Sequence, residues 1–74
     1  MKADVELMLK VAKRAREQDK GVYVEIRGDR EPRGPMGAVE GVTEGGASLV
    51  RMTWLNHQSY CRPEDLVAVT VKEQ

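Results

Sequence analysis

Five arginines in the second part of this 74-residue chain are the side chains best suited to bind a charged ligand. A guanidinium group donates paired hydrogen bonds to phosphate or carboxylate oxygens, which makes arginine the usual residue for recognising them. These residues are Arg27, Arg30, Arg33, Arg51 and Arg62. Acidic residues alternate with the first three (Glu25, Asp29 and Glu31), so residues 27–33 are equally typical of a loop that is only solvated. The sequence therefore predicts a candidate binding surface and leaves its role open.

Aromatic side chains add stacking surfaces that a base or a peptide can contact. Tyr23 lies between two valines in an alternating segment, so we expect it on the solvent face of a strand. Tyr60 is undecided between the two faces. Trp54 shares its parity with Val50 and is expected in the core, because tryptophan is highly buried on average. Tyr23 and Tyr60 therefore join the five arginines as candidate binding residues.

His57 and Cys61 are the two residues that suggest metal or nucleophile chemistry. On a strand that rises ~3.3 Å per residue, their spacing separates them by about 13 Å. That distance is too long for joint ligation at ~2.0–2.3 Å or for direct proton transfer. We therefore predict no catalytic residue, no metal site and no cofactor within one copy, with Cys61 as a small core residue and His57 in a turn.

Charge and composition limit the classes of function. Lys and Arg total 12 and Asp and Glu total 12, so the formal net charge is zero, whereas dedicated nucleic-acid binders usually carry excess positive charge. One cysteine excludes an internal disulfide and is typical of a cytoplasmic protein. The sequence contains neither a run of ~18 apolar residues nor a secretory signal pattern. A cytoplasmic location without membrane contact is expected.

The first part of the chain predicts one amphipathic helix at residues 3–19, which Gly21 ends. Its apolar residues cover about half of the circumference, more than the arc of about 100° that packing on one sheet requires. They are Val5, Leu7, Met8, Leu9, Val11, Ala12 and Ala15. Either the helix contacts a second partner as well as its own domain, or Leu7 or Leu9 is simply half exposed.

From Gly21 onward the apolar period changes to two, which predicts five short strands. The first strand ends near Ile26, and an exposed loop follows at 28–37. The other strands are expected at about 37–43, 48–55, 58–62 and 66–72, with hairpin turns at 44–46 and 56–57 and a helical turn at 63–65. Three valines of the last strand are expected to face the interior together, namely Val67, Val69 and Val71.

The segment Gly-Ala-Val-Glu-Gly-Val at 37–42 resembles the glycine-and-valine strand of KOW and Tudor domains, which are SH3-like barrels. Tyr60 to Leu66 is similar to the usual approach to their last strand. The resemblance covers residues 21–72. Together with the predicted helix, it implies a mainly β fold with one N-terminal helix, in which residues 1–20 cap a five-stranded SH3-like barrel at 21–74 within one domain.

A second resemblance concerns residues 57–60, His-Gln-Ser-Tyr. Plasmid-type dihydrofolate reductases are small barrels that carry Val-Gln-Ile-Tyr before the last strand, and their active pore forms only in a tetramer. The present chain keeps the Gln-x-Tyr spacing of that run and replaces both apolar members. The resemblance implies an oligomeric enzyme with its site around Gln58 and Tyr60.

Three hypotheses of function follow from these patterns. The first is a small non-catalytic binding module whose partner is another protein or its own copy, as the wide apolar arc and the zero net charge indicate. The second is nucleic-acid binding through residues 27–33 with Arg51, Arg62 and Tyr23, and such binding would weaken steeply with added salt. The third is the oligomeric enzyme, which ranks last because one copy offers no acid–base pair.

Overall fold

A computed structural model describes residues 4–73. One helix, α1 (Val5–Glu17), precedes five strands: β1 (Gly21–Ile26), β2 (Ala38–Glu44), β3 (Ala47–Trp54), β4 (His57–Cys61) and β5 (Leu66–Lys72). A single 3-10 turn, Pro63–Asp65, leads into β5, as predicted. The mainly β architecture with one N-terminal helix is confirmed. The parts of the predicted helix and domain bounds that fall on residues 1–3 and 74 lie outside the described residues.

Local signals fix both ends of α1. The Asp4 carboxylate accepts a hydrogen bond from the Leu7 amide at 3.0 Å and caps the first turn. At the other end Asp19 adopts a left-handed φ of 58°, and the Lys20 amide donates to the Ala15 carbonyl at 2.9 Å. The predicted stop at Gly21 is wrong, because Asp19 reverses the chain first and Gly21 opens β1 as a buried residue.

The strands form two antiparallel sheets. β1 pairs with β5, while β2, β3 and β4 form a meander. Gly45 and Gly46 both have positive φ in the β2–β3 hairpin, as the predicted turn requires. Because the described strands divide into a two-stranded and a three-stranded sheet, the closed five-stranded barrel is not confirmed.

The β3–β4 hairpin differs from the predicted one by one residue. Leu55 and Asn56 form its turn, and His57 is already paired with Trp54, so the predicted turn at 56–57 is wrong. Leu55 has a φ of 55°, a conformation that sequence rules reserve mainly for glycine and asparagine. Because leucine is not a typical turn residue, the sequence pattern placed the turn one residue too late in the chain.

The core lies between the two sheets and the inner side of α1. Its buried members are Ala12, Ala15, Val22, Val24, Met36, Val39, Val50, Met52 and Leu66. Trp54 is partly buried and packs against this cluster, and Cys61 does the same. The predicted core placement of both residues is therefore confirmed in part. Within residues 4–73, no helix has the length and apolar composition needed to cross a membrane.

A β-bulge alters the inward face of β5. The pairing register shifts between Glu25 and Ile26, so that Ile26 lies opposite Leu66. Leu66, only 1% exposed, therefore occupies the core position, and Val67 is 44% exposed. The predicted inward placement of Val67 is wrong for this reason. Val69 packs against the core as expected.

Val71 is also more exposed than expected. It lies opposite Val22 near the end of the β1–β5 pair, where the register is regular. Val71 is 36% exposed, although Val22 is fully buried. Alternation therefore identifies its side of the sheet but overestimates its burial.

Truncating two adjacent residues of β5 tests the bulge. We expect Leu66→Ala to lower the free energy of unfolding by about 2–5 kcal/mol, since it opens a cavity in the core. Val67→Ala should change it by no more than about 0.5 kcal/mol, because that side chain already contacts water. Urea denaturation of both variants measures the difference. Equal losses would contradict the register shift.

Candidate functional site

The loop between β1 and β2 lies against β1 instead of extending freely into solvent. The Arg33 amide donates to the Val24 carbonyl at 2.8 Å, and the Val24 amide donates back at 2.9 Å. Further along, the Met36 amide donates to the Val22 carbonyl at 2.7 Å. These bonds fix the position of Arg33 relative to the sheet.

Arg33 is neutralised within this loop. Its Nε donates to Asp29 Oδ2 at 2.6 Å, and a terminal nitrogen donates to Oδ1 at 3.2 Å. The two parallel bonds form a bidentate pair, which is the strongest geometry available to arginine and a carboxylate. The residues therefore satisfy each other and hold the loop closed.

Arg27 and Arg62 share one carboxylate, that of Asp65. Arg27 Nε lies 3.4 Å from Asp65 Oδ1, and Arg62 Nε donates to Oδ2 at 3.2 Å. Arg27 also donates from a terminal nitrogen to the Glu64 carbonyl at 3.2 Å. These contacts fasten the end of β1 to the 3-10 turn before β5.

Arg51 occupies the middle of a row across the outer face of the three-stranded sheet. It lies between Glu40 on β2 and Tyr60 on β4. A terminal nitrogen donates to Glu40 Oε2 at 3.0 Å. This bond, and next the hydroxyl of Tyr60, raise the pKa of Arg51 above its usual value, so the side chain stays charged. Tyr60 is exposed on this face, which decides the placement that the sequence left open.

The remaining two candidates stand apart. Tyr23 lies on the outer face of β1, as predicted, but it is only partly exposed, and Lys72 Nζ lies 4.9 Å from its ring centroid. This contact is within the range of a cation–π interaction. Arg30 is exposed and forms no ion pair within residues 4–73.

The predicted binding residues therefore divide into separate groups. Arg27 and Arg62 meet at Asp65, Arg51 meets Tyr60, and each of the other three residues lies elsewhere. Four of the five arginines are paired with a carboxylate inside the chain. A phosphate would have to displace those carboxylates, so this arrangement favours a positioning role for the paired arginines.

The residues that suggested chemistry occupy ordinary structural positions. His57 packs near Trp54, with ring centroids 6.2 Å apart. Gln58 and Tyr60 alternate with Ser59, so they share the exposed outer face of β4. Among residues 4–73, no group of three or more His, Cys, Asp or Glu side chains lies close enough together to hold a metal ion.

Cys61 titrates in an unusual environment. Burial raises the pKa of its thiol, the nearby Asp65 carboxylate raises it further, and Arg33 acts in the opposite direction. A thiol of this kind is a poor nucleophile at neutral pH, because the thiolate is the reactive form. The structure therefore favours the predicted core role of Cys61.

The outer side of α1 carries a surface that the set of candidate binding residues missed. Asp4, Leu7, Val11 and Arg14 form a row along the helix, which we call the outer stripe. Leu7 is 57% exposed and Val11 is 40% exposed. With charged neighbours on α1 they line a shallow depression of about 550 Å³. The excess width of the predicted apolar arc was the signal for this surface.

The two leucines left open by the sequence lie on different sides of α1. Leu9 is half buried and lines a cleft of about 440 Å³ between α1 and β2. A Cβ atom at Gly41 would lie 3.3 Å from Leu9 Cδ1, so the small residue at position 41 allows this approach. Leu7 is the exposed one, on the outer stripe.

Comparison with known proteins leaves the function to be inferred from geometry. No protein-family model, curated protein or solved structure gives a significant match to this chain. The contacts and exposed surfaces of residues 4–73 therefore carry the proposal.

Replacing two glycines of the β1–β2 loop tests how closely the loop packs on β1. A Cβ atom at Gly34 would lie 2.7 Å from the Val22 carbonyl oxygen, whereas one at Gly28 meets nothing within 4 Å. Both glycines have positive φ, so backbone strain affects both variants. We expect Gly34→Ala to cost about 1 kcal/mol or more beyond Gly28→Ala in unfolding free energy. Equal losses in urea denaturation would contradict this packing.

The thiol of Cys61 reports on the Asp65 contact. We expect the midpoint of its alkylation rate against pH to lie above the ~8.5 of a free cysteine. Asp65→Asn should lower that midpoint, since it removes a nearby negative charge, while Glu64→Gln serves as the matched control. A midpoint at or below that of a cysteine peptide, or an equal shift in both variants, would contradict the described environment.

Proposed function

We propose that this protein is a small non-catalytic binding module that contacts a protein partner through the outer stripe of α1. The observation that carries the proposal is the exposure of Leu7 and Val11 one turn apart on a helix whose other apolar side already covers the core. Covering a leucine or valine side chain completely is worth about 1.5–3 kcal/mol. Leu7 is 57% exposed and Val11 40% exposed, so a partner that covers both recovers roughly half of this free energy from each side chain.

The charges around the stripe favour a specific contact over nonspecific hydrophobic association. Asp4 and Arg14 lie at the two ends of the stripe, and both are exposed. A polar rim around apolar anchors is the usual composition of protein interfaces. The stripe therefore combines a small anchor with charges that select the orientation of the partner.

Nucleic-acid binding stays a prediction and ranks below the protein interaction. Carboxylates already engage four of the candidate arginines, and the net charge of the chain is zero. The oligomeric enzyme also stays a prediction. Its candidates Gln58 and Tyr60 share an exposed sheet face, and the ionisable neighbours of Tyr60 there, Arg51 and Glu40, are already paired with each other.

We further propose that the two sheets are the halves of an open SH3-like barrel. Residues 33–37 support this view because they hydrogen-bond to both halves. Their bonds to Val22 and Val24 reach β1, and the Gly37 amide donates to the Thr53 carbonyl of β3 at 2.7 Å. This segment thus links the sheets where a closed barrel would have continuous pairing.

Site-specific photocrosslinking tests the interaction surface whatever the identity of the partner. A benzophenone side chain replaces Leu7 or Val11 in one set of variants, and the exposed residue Thr43 or Thr70 in the control set. Irradiation in cells that produce the protein, or of the purified protein at about 1 mM, should give adducts of discrete mass from positions 7 and 11, because a partner covers them. Denaturing gels and mass spectrometry measure the products.

Two results would contradict the proposal. One is the absence of any adduct from positions 7 and 11 while the variants remain folded by circular dichroism. The other is equal crosslinking from the control positions, which would show contact without preference for the outer stripe.

A further inference from the structure

The outer stripe is complementary to an antiparallel copy of itself. Its residues are spaced by three, four and three positions, and at ~100° per residue they fall within an arc of about 80°. Along the helix the order is acid, apolar, apolar, base: Asp4, Leu7, Val11 and Arg14. Positions 4 and 14 are equally far from position 9, and so are positions 7 and 11.

We infer that the partner is a second copy of this chain, whose α1 lies antiparallel along the same stripe. This inference rests on the proposed function and specifies its partner. The two-fold axis crosses the stripe at the height of position 9 along the helix. It brings Asp4 of each copy to Arg14 of the other. The same operation places Leu7 of each copy against Val11 of the other.

Within the described residues, both charged ends of the stripe are available for this contact. Asp4 uses Oδ1 for the Leu7 amide, and its carboxylate keeps a second oxygen to accept from arginine. Arg14 forms no ion pair within residues 4–73, unlike four of the five candidate arginines. The intramolecular contacts of the described chain thus leave this pair of opposite charges for a partner.

Charge complementarity also selects the direction of the second helix. A parallel arrangement would place Asp4 against Asp4 and Arg14 against Arg14, so that like charges repel at both ends. The antiparallel arrangement pairs opposite charges and also opposes the two helix dipoles. Only this direction satisfies the whole stripe.

The expected dimer is weak. A helix of 13 residues is about 20 Å long, so the contact covers less than the ~800 Å² per partner of a standard interface. Lys10 lies beside the stripe near the symmetry axis, where the second copy's Lys10 repels it. We therefore expect a dissociation constant on the order of 100 µM.

Sedimentation of the full chain over concentrations from about 10 µM to 1 mM at low salt tests the association. The wild-type chain should change from monomer to dimer, and Leu7→Gln should remain monomeric. Arg14→Glu should weaken the dimer about tenfold, because it turns two attractive pairs into repulsive ones. Lys13→Glu is the matched control, with the same charge change off the stripe, and should leave the affinity within about twofold.

Disulfide trapping tests the direction. Leu7→Cys and Val11→Cys are placed in separate chains, each with Cys61→Ser, and equal amounts are mixed under oxidising conditions. The antiparallel pairing predicts that the 7–11 disulfide dominates, whereas a parallel pairing would give mainly 7–7 and 11–11 products. Lys13→Cys in the same background should remain largely uncoupled.

The outcomes separate this inference from the proposed function. A strict monomer at 1 mM, a parallel pattern of disulfides, or equal effects of Arg14→Glu and Lys13→Glu would overturn the antiparallel pairing. If photocrosslinks from positions 7 and 11 then have the mass of another protein, the interaction surface stands and only the second copy is wrong. If those positions give no adduct either, both proposals are wrong.

Discussion

The rest of the structure depends on the packing of α1 over the two sheets. Ala12 and Ala15 are almost fully buried there, and their small side chains let the helix lie close to β1, β2 and β5. Close packing of this kind tolerates little rotation, since turning the helix would open voids beneath it. The orientation of α1 is therefore fixed, and Leu7 and Val11 must face outward. A requirement of the core thus determines the surface that we assign to binding.

Most of the arginines that first suggested a ligand-binding surface form ion pairs within the chain instead. Asp29 closes on Arg33, and Asp65 holds both Arg27 and Arg62. Exposed ion pairs contribute little stability each, and of these three only Arg27–Asp65 joins segments that are distant in sequence. They keep the β1–β2 loop and the 3-10 turn in place around a small core. Arg14, like Arg30, forms no ion pair within the described residues.

Sequence patterns predicted what depends on local order, and missed what depends on distant contacts. The change of period near Gly21 predicted the helix and all five strands, and parity placed Trp54 against the core. The bulge that turns Val67 outward arises from pairing with β1, which alternation within β5 does not contain. Pairing of Arg27 with Asp65 was invisible for the same reason. The wide helix arc predicted apolar surface beyond what the core needs, but only the packed core identifies Leu7 and Val11 as the exposed part of it.

The most direct test of the account is an isotope-filtered NOE experiment on a mixture of labelled and unlabelled chains. It detects only contacts between molecules, and the methyl groups of Leu7 and Val11 are its reporters. We expect intermolecular cross-peaks between Leu7 of one copy and Val11 of the other at millimolar concentration. Intermolecular cross-peaks confined to other surfaces, or none from these two residues, would contradict it.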